Sequence, residues 1–184
     1  MTCIVGLAHE NVVYVGGDSA GVDCSYNILS RGDEKVFMND AVLMGGTTSF
    51  RMLQLLRYSL VVPEQSPKKT DMCWMVTDFV DAVRECFSSK GYMSKENDKE
   101  EGGSFLVAYN NKLYQVCDDF QVQVAVRGYD ACGCGESYAL GSLYTTCDWR
   151  DPVKRVRRAL ECASNMSAGV RPPFLIMNSR GEVL

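Results

Sequence analysis

Histidine is almost missing from this chain of 184 residues; His9 is the only one. There is no Cys-x-x-Cys pair either, so the usual zinc-site spacings are excluded and neither metal nor cofactor is expected. Long apolar runs are also lacking. None approaches the roughly 18 residues that a spanning helix needs, and no basic stretch followed by an apolar one marks a signal peptide. A net charge of −4 with a pI near 5.1 supplies no basic excess. That argues against nucleic acid or an anionic membrane as the main partner. No internal repeat or composition break divides the chain, and its length suits one domain over residues 1–184 with a substantial core.

Cysteine is the exception to this scarcity, with nine residues. They are scattered, mostly through apolar segments, and Cys132 and Cys134 form the only close pair. An odd count of this kind fits reduced thiols, Cys24 among them, filling core positions in a cytoplasmic protein. The hydrophobic share of 46% and the charged share of 23% are ordinary for a soluble enzyme.

What the chain does have begins at its second residue. Initiator methionine is removed efficiently before a small residue, so the mature chain is expected to start at Thr2. A hydroxyl and a free α-amine on one residue make a nucleophile that carries its own general base. The next strand, from Asn11, runs into the tight turn Gly16-Gly17-Asp18-Ser19. Further on, Lys35 enters another apolar segment. A lysine there is costly unless a carboxylate meets it, and Asp18 is the obvious partner. An Asp–Lys pair beside an N-terminal threonine would lower the proton affinity of the hydroxyl and orient the amine.

Thr2, the Gly-Gly-Asp18-Ser19 turn, Glu34-Lys35-Val36 and Gly133-Cys134-Gly135-Glu136-Ser137-Tyr138-Ala139 occur in one order. In that order the chain resembles proteasome β-type subunits, with bacterial HslV-type peptidases and their phage or bacterial relatives nearest among these N-terminal nucleophile hydrolases. The likeness extends over nearly the whole chain. The Thr2–Asp18 spacing is the family's own, and Lys35 lies one residue farther along than usual. What the resemblance implies is a threonine nucleophile at Thr2, tuned by Asp18 and Lys35. The family's Gly-Ser-Gly turn is supported here by Cys134, a poorer donor than serine. Its late Asp-x-x-Ser-Gly element has a counterpart in Ser164-Asn165-Met166-Ser167, where Ser167 matches the serine and no carboxylate is present. With Thr2, Asp18 and Lys35 retained, an active enzyme is favoured.

The resemblance further implies oxyanion donors in the segment Gly46-Thr47-Thr48 and an extended peptide lying along Gly21-Val22 as an added strand. Relatives form closed rings around a chamber. A homo-oligomer is therefore expected, with Arg51, Arg57 and Trp74 of the first two helices among the contact candidates. The substrate would be a peptide or unfolded protein, and an ATP-driven unfoldase is admitted as a partner. Two other readings stay open. One is an N-terminal nucleophile amidase or acyltransferase acting on a small molecule; the other is a shell subunit that keeps the fold without the activity.

Apolar spacing predicts helices over 49–60 and from Thr70-Asp71 to about Ser89. Two more are expected, one opening at Gly133-Cys134-Gly135 and one at Asp151-Pro152. Strands are expected at the N-terminus, over 41–46, over 104–109 and 112–116 about an Asn110-Asn111 turn, over 120–126 and over 174–178. The polar stretch 94–103 reads as a loop. This order supports a layered α+β architecture; the four-layer αββα sandwich of the N-terminal nucleophile hydrolases is what the resemblance adds.

Overall fold

The computed structural model describes every residue except Cys24 and Tyr26; the expectation for Cys24 lies outside the described residues. The chain opens with β1 (Cys3–His9), β2 (Val12–Gly17), the short pair β3 (Ala20–Val22) and β4 (Ile28–Ser30), β5 (Val36–Asn39) and β6 (Val42–Gly46). Helix α1 (Phe50–Tyr58) follows. Helical residues α2 (Asp71–Trp74) continue through one π-turn (Met75–Phe79) into α3 (Val80–Ser89). Next come β7 (Ser94–Glu96), β8 (Lys99–Glu101), β9 (Phe105–Tyr109), β10 (Lys112–Val116), β11 (Val122–Val124) and β12 (Tyr129–Gly133). Helices α4 (Glu136–Thr145) and α5 (Pro152–Met166) lead to β13 (Leu175–Asn178).

Two antiparallel sheets pack face to face, one in the order β12-β1-β2-β13 and the other β11-β10-β9-β6-β5. Period-two alternation sorts the side chains of β1 between two cores. Cys3, Val5 and Leu7 face α4 and α5, whereas Ile4 joins Val15, Val36 and Leu106 between the sheets. A third core, around Trp74, Phe79, Phe105 and Tyr114, lies between the five-stranded sheet and α1–α3. Three cores between four layers make an αββα sandwich. Each fully buried large apolar side chain stabilises this arrangement by about 1.5–3 kcal/mol.

Local chemistry fixes the element ends. Glu10–Asn11, Asn97–Asp98 and Asn110–Asn111 each hold positive φ at both positions, the geometry that turns twisted strands back in two residues. The Ser49 hydroxyl accepts from Arg51 N–H (3.1 Å) at the start of α1, and Asp151 caps α5 through Lys154 N–H (3.0 Å) ahead of Pro152.

Several expectations need correction. The stretch over 94–103 contains a hairpin: its charges alternate on exposed strands that pair through the tight Asn97–Asp98 turn. The expected strand over 120–126 shortens to Val122–Val124, and β12 was hidden by a segment too short and too polar to show a period. Trp74 cannot contact a second copy, because it is wholly buried and stacks on Tyr109 at 4.3 Å. Among the described cysteines only Cys3, Cys86 and Cys132 are core residues; Cys73, Cys134 and Cys147 are exposed. No helix is long and apolar enough to cross a membrane among the described residues.

Candidate active site

Thr2 stands at the head of β1, on the strand face opposite Cys3, and is 5% exposed. Its neighbours come from three separate stretches. Asp18 sits in the break between β2 and β3, where its carboxylate is turned inward onto the Cys3 and Ala20 N–H groups, and Lys35 immediately precedes β5. Lys35 Nζ lies 2.9 Å from Asp18 Oδ1 and 2.9 Å from Thr2 Oγ1. Asp18 is further held by three backbone donors: Cys3 N–H to Oδ1 (3.0 Å), and Ala20 N–H (3.0 Å) and Arg171 N–H (3.2 Å) to Oδ2. With side-chain exposures of 2% and 0%, the pair is shut away from water. Burial pushes the Lys35 ammonium below the ordinary lysine range, and Asp18 offsets only part of that.

On the opposite side, Thr2 meets the turn between β12 and α4. Gly133 adopts φ +100°, and a Cβ there would overlap the Thr2 carbonyl oxygen. Only glycine serves at this crossing. Thr2 N–H donates to Cys134 Sγ at 3.3 Å, the Cys134 thiol reaches the Thr2 carbonyl at 3.4 Å, and Ser167 Oγ lies 3.4 Å from the same sulfur. Cys3 points the other way, into the core beneath α4 and α5, where burial pushes its thiol up and keeps it neutral. Ser164 and Asn165 do not reach Thr2. The Ser164 carbonyl accepts from Arg171, and the Asn165 amide turns back to the Glu161 carbonyl.

Met1 is in place, so the Thr2 nitrogen is an amide here. Its lone pair is tied up in resonance and cannot take a proton near neutral pH. The Thr2 hydroxyl donates to the Met1 carbonyl. Met1 also lines the cleft of about 70 Å³ in front of Thr2, with Val22, Lys35, Gly46–Phe50 and Leu53. A larger cavity of about 220 Å³ touches Asp18 and Lys35 from behind, bounded by Ser19, Arg31 and Phe174, and does not include Thr2.

The cleft contains all three of Gly46, Thr47 and Thr48, and their N–H groups are not equivalent. Gly46 N–H donates to the Lys35 carbonyl (3.1 Å) and Thr47 N–H to the Ser104 carbonyl (3.2 Å). Thr48 N–H has no intramolecular acceptor among the described residues. Thr48 is held at φ +61° while Ser49 N–H bonds back across it to the Thr47 carbonyl at 2.7 Å. A β-branched residue at positive φ inside a three-residue turn is strained, and Thr48 Oγ1 helps hold it by accepting from Ser104 N–H (3.2 Å). Val22 lines the same cleft; Gly21 lies beside it in β3, which pairs with β4 alone among the described residues.

No family model and no curated protein sequence matches the chain. Solved structures do. Thiobacillus denitrificans BPH in complex with epoxomicin is similar at a TM-score of 0.77 and 16% identity, over 96% of this chain and 97% of that one. Eukaryotic HslV from Trypanosoma brucei is similar at 0.68 and 15%, over 96% and 98%. Anbu (ancestral beta-subunit) from Yersinia bercovieri gives 0.67 and 13%, over 96% and 80%. The chain has the proteasome-like N-terminal nucleophile hydrolase fold. Within that fold the first strand, the Asp18 turn and the Gly133–Gly135 turn converge where the four layers meet. Sequence reasoning named Thr2, Asp18, Lys35, Cys134 and Ser167, and these do come together. It missed Arg171, whose backbone and side chain both enter this cluster and which no motif signals.

Proposed function

We propose that the chain, once Met1 is removed, is the threonine peptidase subunit of a self-compartmentalising protease, with Thr2 as nucleophile. The observation that carries this reading is the position of Lys35 Nζ, 2.9 Å from the Thr2 hydroxyl and equally close to a carboxylate held by three backbone donors. Loss of Met1 converts the Thr2 amide into an amine with an ordinary pKa of about 7.7–8.0. The hydroxyl then attacks a peptide carbonyl carbon and gives its proton to that amine, directly or through a water. The Lys35 ammonium stabilises the oxygen as it loses its proton, and Asp18 keeps the ammonium charged and aimed.

The carbonyl oxygen becomes an oxyanion, for which Thr48 N–H, unlike those of Gly46 and Thr47, is free. One such donor is worth on the order of 10²–10³ in rate. Collapse breaks the C–N bond; the departing amine takes the proton from the Thr2 ammonium and leaves an ester on Thr2. Water then attacks the ester with the same amine as base. An extended peptide fits as an added strand on the open edge of β3, past Gly21 and Val22. Exposed apolar residues Tyr58, Val61 and Val126, with Arg51 and Arg57, are candidates for contacts between copies in a ring.

Intact-mass measurement with epoxomicin tests the reading, because an epoxyketone captures a hydroxyl and an amine on one residue. The expected result is a chain that starts at Thr2 and carries one adduct, with none on Thr2→Ala. Retained Met1 in the native protein, or an adduct that survives Thr2→Ala, sinks it. Sedimentation separates the chambered peptidase from the amidase: a labelled monomer favours the latter.

A further inference from the structure

We propose that Arg171 is a positioning residue of the Thr2 site, holding in place the loop that carries Ser167. The proposal rests on the peptidase reading above. Helix α5 ends at Met166, and the last carbonyls of a helix have no partner within it. Arg171 Nη1 collects three carbonyls from this end and the loop beyond it: Ser164 (3.2 Å), Ser167 (3.1 Å) and Val170 (2.7 Å). The guanidinium forms no ion pair among the described residues, and its charge is matched instead by the negative end of α5.

The same residue is tied to the other side of the site through its backbone. Arg171 N–H donates to Asp18 Oδ2 at 3.2 Å, and its carbonyl accepts from Ser19 N–H at 3.1 Å. Arg171 therefore fastens the segment bearing Ser167 to the turn bearing Asp18, and Thr2 lies between them. Among the described residues Ser167 reaches Thr2 only through Cys134, by two contacts of 3.3–3.4 Å. A thiol is a weak partner, so these contacts alone hold the loop loosely and its place depends on Arg171. The adjoining Gly169 packs against the same sulfur, since a Cβ there would lie 2.9 Å from Cys134 Sγ. The role of Arg171 is to fix where the Ser167–Cys134 arm meets the Thr2 nitrogen.

The test compares wild type, Arg171→Met, Arg171→Lys, Ser167→Ala and the Arg171→Met/Ser167→Ala double variant, each shown by mass to begin at Thr2. The rate of epoxomicin labelling is measured across pH, beside thermal unfolding. Arg171→Met should label about tenfold more slowly or worse, since small misplacements near a reacting group are that costly. Its acid limb should move to lower pH, because a displaced acceptor no longer steadies the Thr2 ammonium. Arg171→Lys should recover part of the rate. The double variant should label no more slowly than Arg171→Met, since both changes break one arm. Equal labelling of wild type and Arg171→Met, strictly multiplicative losses, or a rate loss with an unmoved pH profile each overturn the proposal alone. Wild type that starts at Thr2 and takes no label overturns the peptidase reading and this proposal with it.

Discussion

On one side of Thr2 stand Asp18 and Lys35, shut away from solvent and joined by contacts of 2.9–3.2 Å, with three backbone donors on the carboxylate. On the other stand Cys134 and Ser167, more open to water and joined by sulfur contacts of 3.3–3.4 Å. The first side is electrostatic and rigid: a buried ammonium must have its carboxylate, so each group enforces the other's place. The second is soft, because a thiol is a weak donor and acceptor and an exposed contact exchanges readily with water. In the proposed mechanism the work of ionising the Thr2 hydroxyl falls to the rigid side, and the soft side adjusts the nitrogen. Disturbing the two sides should therefore have unequal effects.

Asp18→Ala should have the largest. It strands the Lys35 ammonium in the interior and removes the acceptor of three N–H groups, a loss of about 3–5 kcal/mol for a broken buried pair. Urea unfolding should show it, and Thr2 labelling should vanish even where the variant remains folded. A variant that labels at even a tenth of the wild-type rate contradicts the rigid half of the comparison.

Lys35 gives the next effect, and its sign follows from burial. The folded-state pKa of Lys35 lies below the ordinary 10.5. Between those two values the unfolded chain holds the extra proton, so stability rises with pH there. Below the folded value both states are charged and the full cost of burying the ammonium is felt. Wild type should accordingly gain stability relative to Lys35→Met as the pH climbs from neutral toward 10.5, measured by urea unfolding at several alkaline pH values. A difference that stays flat or shrinks with pH contradicts the burial argument.

The rigid side was also the legible one. A lysine entering an apolar segment demands a carboxylate, so Lys35 and Asp18 could be paired from the chain alone, although Gly16 and Gly17 prove to be paired residues of β2 and not the tight turn expected there. The helix cap at Asp151 and the Asn110–Asn111 turn were equally readable, since each rests on chemistry within a few residues. Nonlocal features were not. Thr48 stands out from Gly46 and Thr47 only when their acceptors on Lys35 and Ser104 are known. Arg171 works through backbone carbonyls, which leave no trace in a sequence pattern. Trp74 read as a surface residue because helical spacing alone does not say how far a layer extends above it. The hairpin over 94–101 read as a loop because its stability comes from a turn and a ladder, not from apolar alternation.

Cys134→Ser is the smallest disturbance and the one that sharpens the comparison most. A hydroxyl is the better donor and acceptor, and one hydrogen bond contributes about 0.5–1.5 kcal/mol. Oxygen prefers contacts near 2.7–3.0 Å, whereas the sulfur now sits 3.3 Å from the Thr2 nitrogen and 3.4 Å from Ser167 Oγ. The turn must close to gain the stronger bond, and Gly133, which has no Cβ, is the position where the backbone can follow. Labelling of Thr2 should then quicken by a few fold, while stability stays within about 0.5 kcal/mol, as for other exposed substitutions. A marked slowing would mean that the thiol is required as a thiol, and that the soft side of the site does more than adjust the nitrogen.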